Sequence, residues 1–251
     1  MPKKKLKEGR IIIETAEVDI NYPHKAYLNF KKLMSDKEFS ERFVFIRGIL
    51  DRIADPVKRA KKAHQYVESY TNELLNTVAA KELITCHQGC DACCHTQVSV
   101  SSDEAQLLAS RVNEGTAEVD FGRLAVQRST GNNSKDWFSL PYKVRRCVFL
   151  TEQGDCSVYE DRPAVCRTNN VFSDPSKCGT KDGKEQEIRL LDTQKADLAV
   201  IAAYQAAGEG GTLPSLLSKF LAKSKKDDSL AKISNDRLNK IKKDLSKIFE
   251  L

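Results

Sequence analysis

Apolar positions spaced three and four apart dominate both flanks of the chain, and that spacing breaks down in between. From about Lys25 to Ala80, Phe39, Phe43, Phe45 and Ile46 mark one helical stripe, and Val57, Ala60, Ala63, His64 and Val67 mark a second. These helices are expected to supply core. Beyond the middle, Ile188, Leu191, Leu198 and Ile201 predict a helix closed by "GEGG", and Leu213 to Leu221 predict another. Leu230, Ile233, Leu238, Ile241, Leu245 and Ile248 predict a last amphipathic helix, reached through "KSKKDDS".

The middle is less regular. Ser101 and Glu104 have the spacing of a capping box, which opens a short helix over "SSDEAQLLASRV", with "TAEVDFGRLAVQ" continuing as another. "GNNSKDW" reads as a polar, turn-rich loop. "CVFLTEQGDCSVY" predicts two short strands about a Gly154-Asp155 turn, which would bring Cys147 and Cys156 together. No internal repeat is visible. The fold class expected is mainly α with a small irregular α+β cysteine-rich centre, helical segments standing on both sides of a metal-binding core. Along the chain this divides into an N-terminal extension (1–24), a helical flank (25–83), a cysteine-cluster domain (84–180) and a C-terminal helical region (181–251). The flanks are expected to pack with the centre as one unit.

Composition narrows the function. With 251 residues, 40% of them hydrophobic and 30% charged, the chain can bury a core without covalent staples. No apolar run is long enough to span a bilayer, and the start "MPKKKLKEGRIII" has too short an apolar stretch for a secretory leader. The expectation is therefore a cytoplasmic protein, a setting in which disulfides are rare. The net charge of +6 falls in "KKKLK", "KSKK" and "KIKK", with acids interleaved. Solvated helix faces account for it better than a nucleic-acid patch, which leaves a protein partner or protein substrate as the partner class. No G-x-S-x-G, P-loop or H-E-x-x-H is present.

The chemistry lies in the cysteines. All eight fall between positions 86 and 178, and "TCHQGCDACCHTQ" holds Cys86, Cys90, Cys93 and Cys94. Buried free thiols are usually single and scattered, whereas these are clustered among polar neighbours. Disulfides fit a chain with a full core poorly, though Cys93 and Cys94 could form a strained vicinal bond. Thiolates at short separations suit a soft or borderline metal. One straight helix over residues 86–94 would spread the sulfurs over about 12 Å. A zinc ion needs them within about 4 Å of one another. The stretch must therefore be looped, which Gly89 permits, or divided between centres. Adjacent residues rarely chelate one ion together, so Cys93 and Cys94 should differ in role. Cys147, Cys156, Cys166 and Cys178 add four more thiols, enough for two four-ligand sites or for one cluster with spares. His87 and His95 read as hydrogen-bond partners rather than ligands.

"CHQGCDACC", followed by "CVFLTEQGDCSVYEDRPAVCR" and Cys178, resembles the CxxCxxCC or YkgJ-like cysteine-cluster family, described as zinc- or iron-chelating. Cys147, Phe149, Leu150, Gly154, Cys156, Tyr159, Arg162, Pro163, Cys166 and Arg167 all fall where the family pattern has them. Cys86 departs from it, with three residues rather than two before Cys90. The resemblance implies a metal site, and its reach to flagellin lysine methylases implies a modifying activity. Cys86-x3-Cys90-x2-Cys93 also has the radical SAM spacing, but no run of strand-helix units follows. The loose later spacings favour an iron-sulfur cluster, 4Fe-4S in type, over Zn2+. Arg162 and Arg167, flanking Cys166, are candidates to contact the cofactor by offsetting thiolate charge, as are Arg145 and Arg146 before Cys147. Pairing with Glu160 and Asp161 is the equal alternative. The expected function is a cysteine-cluster metal protein, iron-sulfur with a redox or protein-modifying role. The alternative is a zinc-stabilised interaction module.

Overall fold

The computed structural model describes residues 8–13, 22–87, 89–181 and 186–225. "KKKLK" and the stripe predicted from Leu230 to Ile248 lie outside the described residues. A strand β1 (Glu8–Ile13) precedes four helices, α1 (His24–Leu33), α2 (Lys37–Asp51), α3 (Pro56–Leu75) and α4 (Val78–Leu83). The middle holds β2 (Ser99–Ser101), α5 (Ser102–Asn113), α6 (Phe121–Arg128), α7 (Ser134–Ser139) and α8 (Ala164–Thr168). Then come β3 (Gln186–Leu191), α9 (Gln194–Ala207), β4 (Gly210–Thr212) and α10 (Leu213–Lys225). Two small antiparallel sheets result, β1 with β3 and β2 with β4. The fold is thus mostly helical around a cysteine-rich middle.

The flank folds because its stripes and its caps agree. Asp36 and Asp55 accept backbone N–H bonds at the starts of α2 and α3, and Pro56 occupies the first turn, where its missing N–H costs nothing. Phe43, Ile46, Leu50, Ala63 and Val67 then pack against α9 and α1. Alanines at 196, 199, 202 and 203 give α9 a thin profile, so three helices can close around it, and it is buried on most of its surface. Phe45 departs from the expected stripe and is exposed. At ~100° per residue it sits to one side of the Phe43, Ile46 and Leu50 line.

A second core joins β2, α5, α6 and α10 through Val100, Leu108, Leu124, Leu217 and Leu221. The predicted capping box is present: Glu104 N–H donates to Ser101 Oγ at 3.3 Å, and Ser101 N–H donates back to Glu104 Oε2 at 2.8 Å.

Three local expectations change. Residues 186–191 are strand, not helix: β3 pairs along β1, and Leu190 bridges Val171 on its other side. The helix starts only at Gln194 and ends at Gly208, whose φ of +76° suits glycine. "GNNSKDW" is half helix, because Asn133 caps Lys135 and Asp136 N–H, and Trp137 buries its ring and donates to the His95 carbonyl at 3.2 Å. The hairpin expected over 147–159 shrinks to one bridge, Leu150 with Cys156, around a Gly154 turn at φ +90°. Val158 and Phe149 are drawn into the second core, and the chain turns away there instead of extending the ladder.

Candidate metal centre

The first cysteine stretch is a loop pinned from outside. Thr85 N–H donates to the Val171 carbonyl at 3.0 Å, and Thr85 Oγ1 donates to the Ser173 carbonyl at 2.6 Å. Gly89, at φ +82°, makes the reversal. A single 3₁₀ turn, Ala92–His95, then carries Cys93 and Cys94. Three residues per turn point adjacent side chains about 120° apart. The stretch is looped, as expected from the sequence, and the two adjacent thiols lie within hydrogen-bond reach of each other.

The later cysteines arrive from three directions. Cys147 N–H donates to the Cys94 carbonyl at 2.7 Å, which ties the second motif to the first. Cys156 stands across the bridge from Leu150. Cys166 lies in α8, whose first N–H, at Ala164, donates to Glu104 Oε1 at 2.7 Å. Cys178 lies in a second 3₁₀ turn, Pro175–Gly179, packed on the first. That approach needs Gly179, since a Cβ there would sit 2.6 Å from the Tyr142 hydroxyl and 3.1 Å from the Ala92 carbonyl. Buried Arg145 fastens the same corner: its guanidinium donates to Thr180 Oγ1 at 3.0 Å and to the Thr180 carbonyl at 2.9 Å. It also lies over the Phe138 and Tyr142 rings.

All eight thiols are free of disulfides; Cys178 is buried and the others half-buried. Cys93 is brought down to about 7 by hydrogen bonds from the Cys94 S–H and the Asn169 side chain. Cys94, the donor of that bond, is pushed up by giving it and then by burial. Burial raises Cys147 and Cys178 to about 12, lifts Cys166 well above the ordinary range, and raises Cys86 and Cys156. Val171 N–H donates to Cys86 Sγ at 3.3 Å. The raised thiols favour the protonated form until a positive ion enters among them, and thiols so placed are the donor chemistry of a thiophilic metal. Among the described residues, no three His, Cys, Asp or Glu side chains are gathered as one metal ion requires. Binding must therefore draw the sulfurs in.

The arginines divide in role. Arg162 stacks 4.0 Å over the Tyr159 ring and holds down the Cys156 thiol by its charge. Arg167 is buried and spent on protein: it donates to Glu68 Oε2 at 3.0 Å, to the Arg162 carbonyl at 3.0 Å and to the Glu160 carbonyl. Arg146 donates to the Thr151 carbonyl, and Asp161 pairs with Arg111 at 2.6 Å. His95 is packed flat on Tyr142 at 4.1 Å, and burial lowers its basicity; His87 is exposed. Sequence reasoning missed Asn169, which bonds Cys93 and whose carbonyl lies 4.0 Å from Cys86 Sγ. It saw Glu104 only as a cap. Nothing local in "RTNN" marks Asn169, because its partners lie more than seventy residues away.

Beside the thiols lies a cavity of about 260 Å³ whose wall includes Cys93, Cys166, Cys178, Asn169, Gln97 and Lys25. Lys25 Nζ donates to Thr193 Oγ1 at 2.6 Å and lies 3.7 Å from Asp197, so its charge is already engaged. Among the described residues, no helix is long and apolar enough to cross a membrane.

Neither the curated proteins nor the solved structures gave a match to this chain. The match that exists is to a family, and it runs past Cys178 to the end of β3, the strand bonded to the Asn170–Phe172 segment. Residues 85–191, which carry every cysteine, match the CxxCxxCC family model, titled "Putative zinc- or iron-chelating domain", and the helical flanks lie outside the match.

Proposed function

We propose that the cysteine-bearing middle holds an iron-sulfur cluster and that the protein uses it in a redox or protein-modifying reaction. One observation supports the reading: Cys93, Cys166 and Cys178, from three separate segments, line the wall of one cavity. A purely structural zinc site is closed by its four ligands, whereas a reactive centre keeps an approach for another molecule. The cavity is such an approach. The number of thiols and their looser later spacing also suit a polynuclear group better than one ion. Bound there, the cluster would supply electron transfer. The chain's own part is to exclude water from the thiols by burial, to offset their charge with Arg162 and Arg123, and to favour the Cys93 thiolate by hydrogen bonds from Asn169 and Cys94.

Purification without oxygen tests this. The expected protein is brown, absorbs in the visible by sulfur-to-iron charge transfer, and contains iron and acid-labile sulfide. A colourless protein carrying stoichiometric zinc would instead establish the zinc-stabilised interaction module.

A further inference from the structure

We propose that the cavity beside the thiols takes a small, neutral, largely apolar molecule with a carbonyl oxygen, which the Gln97 side-chain amide recognises. This rests on the metal-centre reading above and names the class of molecule brought to that centre.

Size sets the first limit. At about 260 Å³ the cavity lies near the lower end of small-molecule sites, roughly 300–1,000 Å³. A single ring or a short branched chain suits it, and a nucleotide cofactor is too large. Its apolar wall is drawn from separate elements: Ala26 on α1, Phe138 on α7, Val165 on α8 and Ile188 on β3, with Val98 just before β2. Such a wall stabilises a hydrocarbon body and penalises a charge that arrives without a partner.

Charge sets the second limit. Lys25 and Asp197 both line the cavity, but they answer each other: Lys25 Nζ lies 3.7 Å from the Asp197 carboxylate, and it donates to Thr193 Oγ1 at 2.6 Å and to the Thr168 carbonyl at 3.3 Å. Asp197, 1% exposed, also accepts from Asn29 Nδ2 at 2.6 Å and from Thr193 Oγ1 at 3.2 Å. An anion would have to draw Lys25 from these partners, and a cation would have to compete with Lys25 for a carboxylate already in use. His24 is exposed, so water screens any charge it takes. A neutral ligand disturbs none of this.

Hydrogen bonding sets the third limit. Thr96 Oγ1 donates to the Cys93 carbonyl at 2.8 Å, and Thr168 Oγ1 donates to the Val165 carbonyl at 3.3 Å, so these wall hydroxyls have acceptors. The Asn169 side chain is committed to Cys93. Gln97 differs, because its Nε2 is buried and has no acceptor among the described residues. Gln97 follows the Ala92–His95 turn by two residues and shares the cavity wall with Cys93, Cys166 and Cys178. The terminal torsion of a glutamine is soft, so a small rotation offers this N–H to an oxygen in the cavity. A donor left unmade in a buried place is the feature that a carbonyl compound would satisfy.

Acetophenone, ethylbenzene, benzoate and benzylamine, titrated into the full-length protein with labelled methyl groups, test each limit separately. They share one ring and differ in a carbonyl, its absence, a negative charge and a positive one. Acetophenone should shift the Val98, Val165 and Ile188 methyl signals, and the other three should bind about tenfold more weakly or not at all. Gln97→Leu should bring acetophenone down to the affinity of ethylbenzene while leaving ethylbenzene unchanged. Equal binding of acetophenone and ethylbenzene by the wild type, tighter binding of either ion, or shifts confined to methyls elsewhere would overturn the proposal without any variant having to fold. Iron and acid-labile sulfide are counted on the same preparation. Acetophenone bound by a colourless, iron-free protein would uphold the cavity and sink the cluster reading, whereas a brown protein that leaves acetophenone free would overturn this inference alone.

Discussion

The bundle of α1, α2, α3 and α9 and the cysteine middle are held together differently. In the bundle, Ile46, Leu50, Val67, Leu198 and Ile201 are each 0% exposed, and each such side chain contributes about 1.5–3 kcal/mol by leaving water. Around the thiols the elements are short: three 3₁₀ turns, a five-residue helix and two isolated bridges. Polar bonds between distant residues fix these pieces, among them Arg145 to Thr180, Glu104 to Ala164 and Thr85 to Val171. A region built from apolar stripes carries its own stability. A region built from loops around buried thiols depends on what those thiols bind.

The sharpest way to break this contrast is to strip metal from the reduced protein with a strong chelator. The middle should lose about 4 kcal/mol, the linkage expected when metal stands at a thousandfold its Kd. Amide hydrogen exchange should accelerate across residues 85–100 and 145–180 while α3 and α9 stay protected. Uniform acceleration would erase the distinction between the regions.

Glu104 joins the two, since it accepts from His64 Nε2 at 3.0 Å on α3 and from Ala164 N–H at the start of the Cys166 helix. Glu104→Ala should cost about 3–5 kcal/mol in denaturant unfolding and lower the metal content as well, because it strands buried partners. Burial pushes this carboxyl up, but the bonds from His64, Ala164 and Ser101 outweigh it and leave it below the usual value. The folded state therefore takes up that proton less readily than the unfolded one. Its contribution is fully present above about pH 4.5 and is lost as pH falls through the lowered value. The acid limb of the stability curve should flatten in Glu104→Gln.

Ile46→Ala, confined to the bundle, should cost about 2–5 kcal/mol by cavity formation while leaving metal per folded chain unchanged. Altered metal content would show that the regions are not separable. Smallest is Ser101→Ala, which removes the cap of α5 for about 1 kcal/mol, measured as a shift in the urea midpoint.

Much of the bundle was legible because its determinants are local. The stripe of Ala60, Ala63, His64 and Val67 is buried as its spacing predicts, and the Ser101–Glu104 box forms where it was read. Ile188 and Leu191 misled because four apolar positions fit a helix or a strand equally until β1 and Val171 pair with β3 on either side. "GNNSKDW" was polar enough for a loop, but a distant acceptor, the His95 carbonyl, rewards the helix that buries Trp137. Phe45 was assigned to the core on type, although its angle on α2 takes it out.

The sequence by itself determined the mainly helical class, the cysteine-bearing middle and the loop at Gly89, because spacing, capping and backbone freedom act over a few residues. Only the tertiary structure decided that Cys93, Cys166 and Cys178 line one cavity, that Asn169 serves Cys93, and that Arg167 is spent on Glu68. Those depend on contacts between residues tens of positions apart, whose free energy no local pattern records.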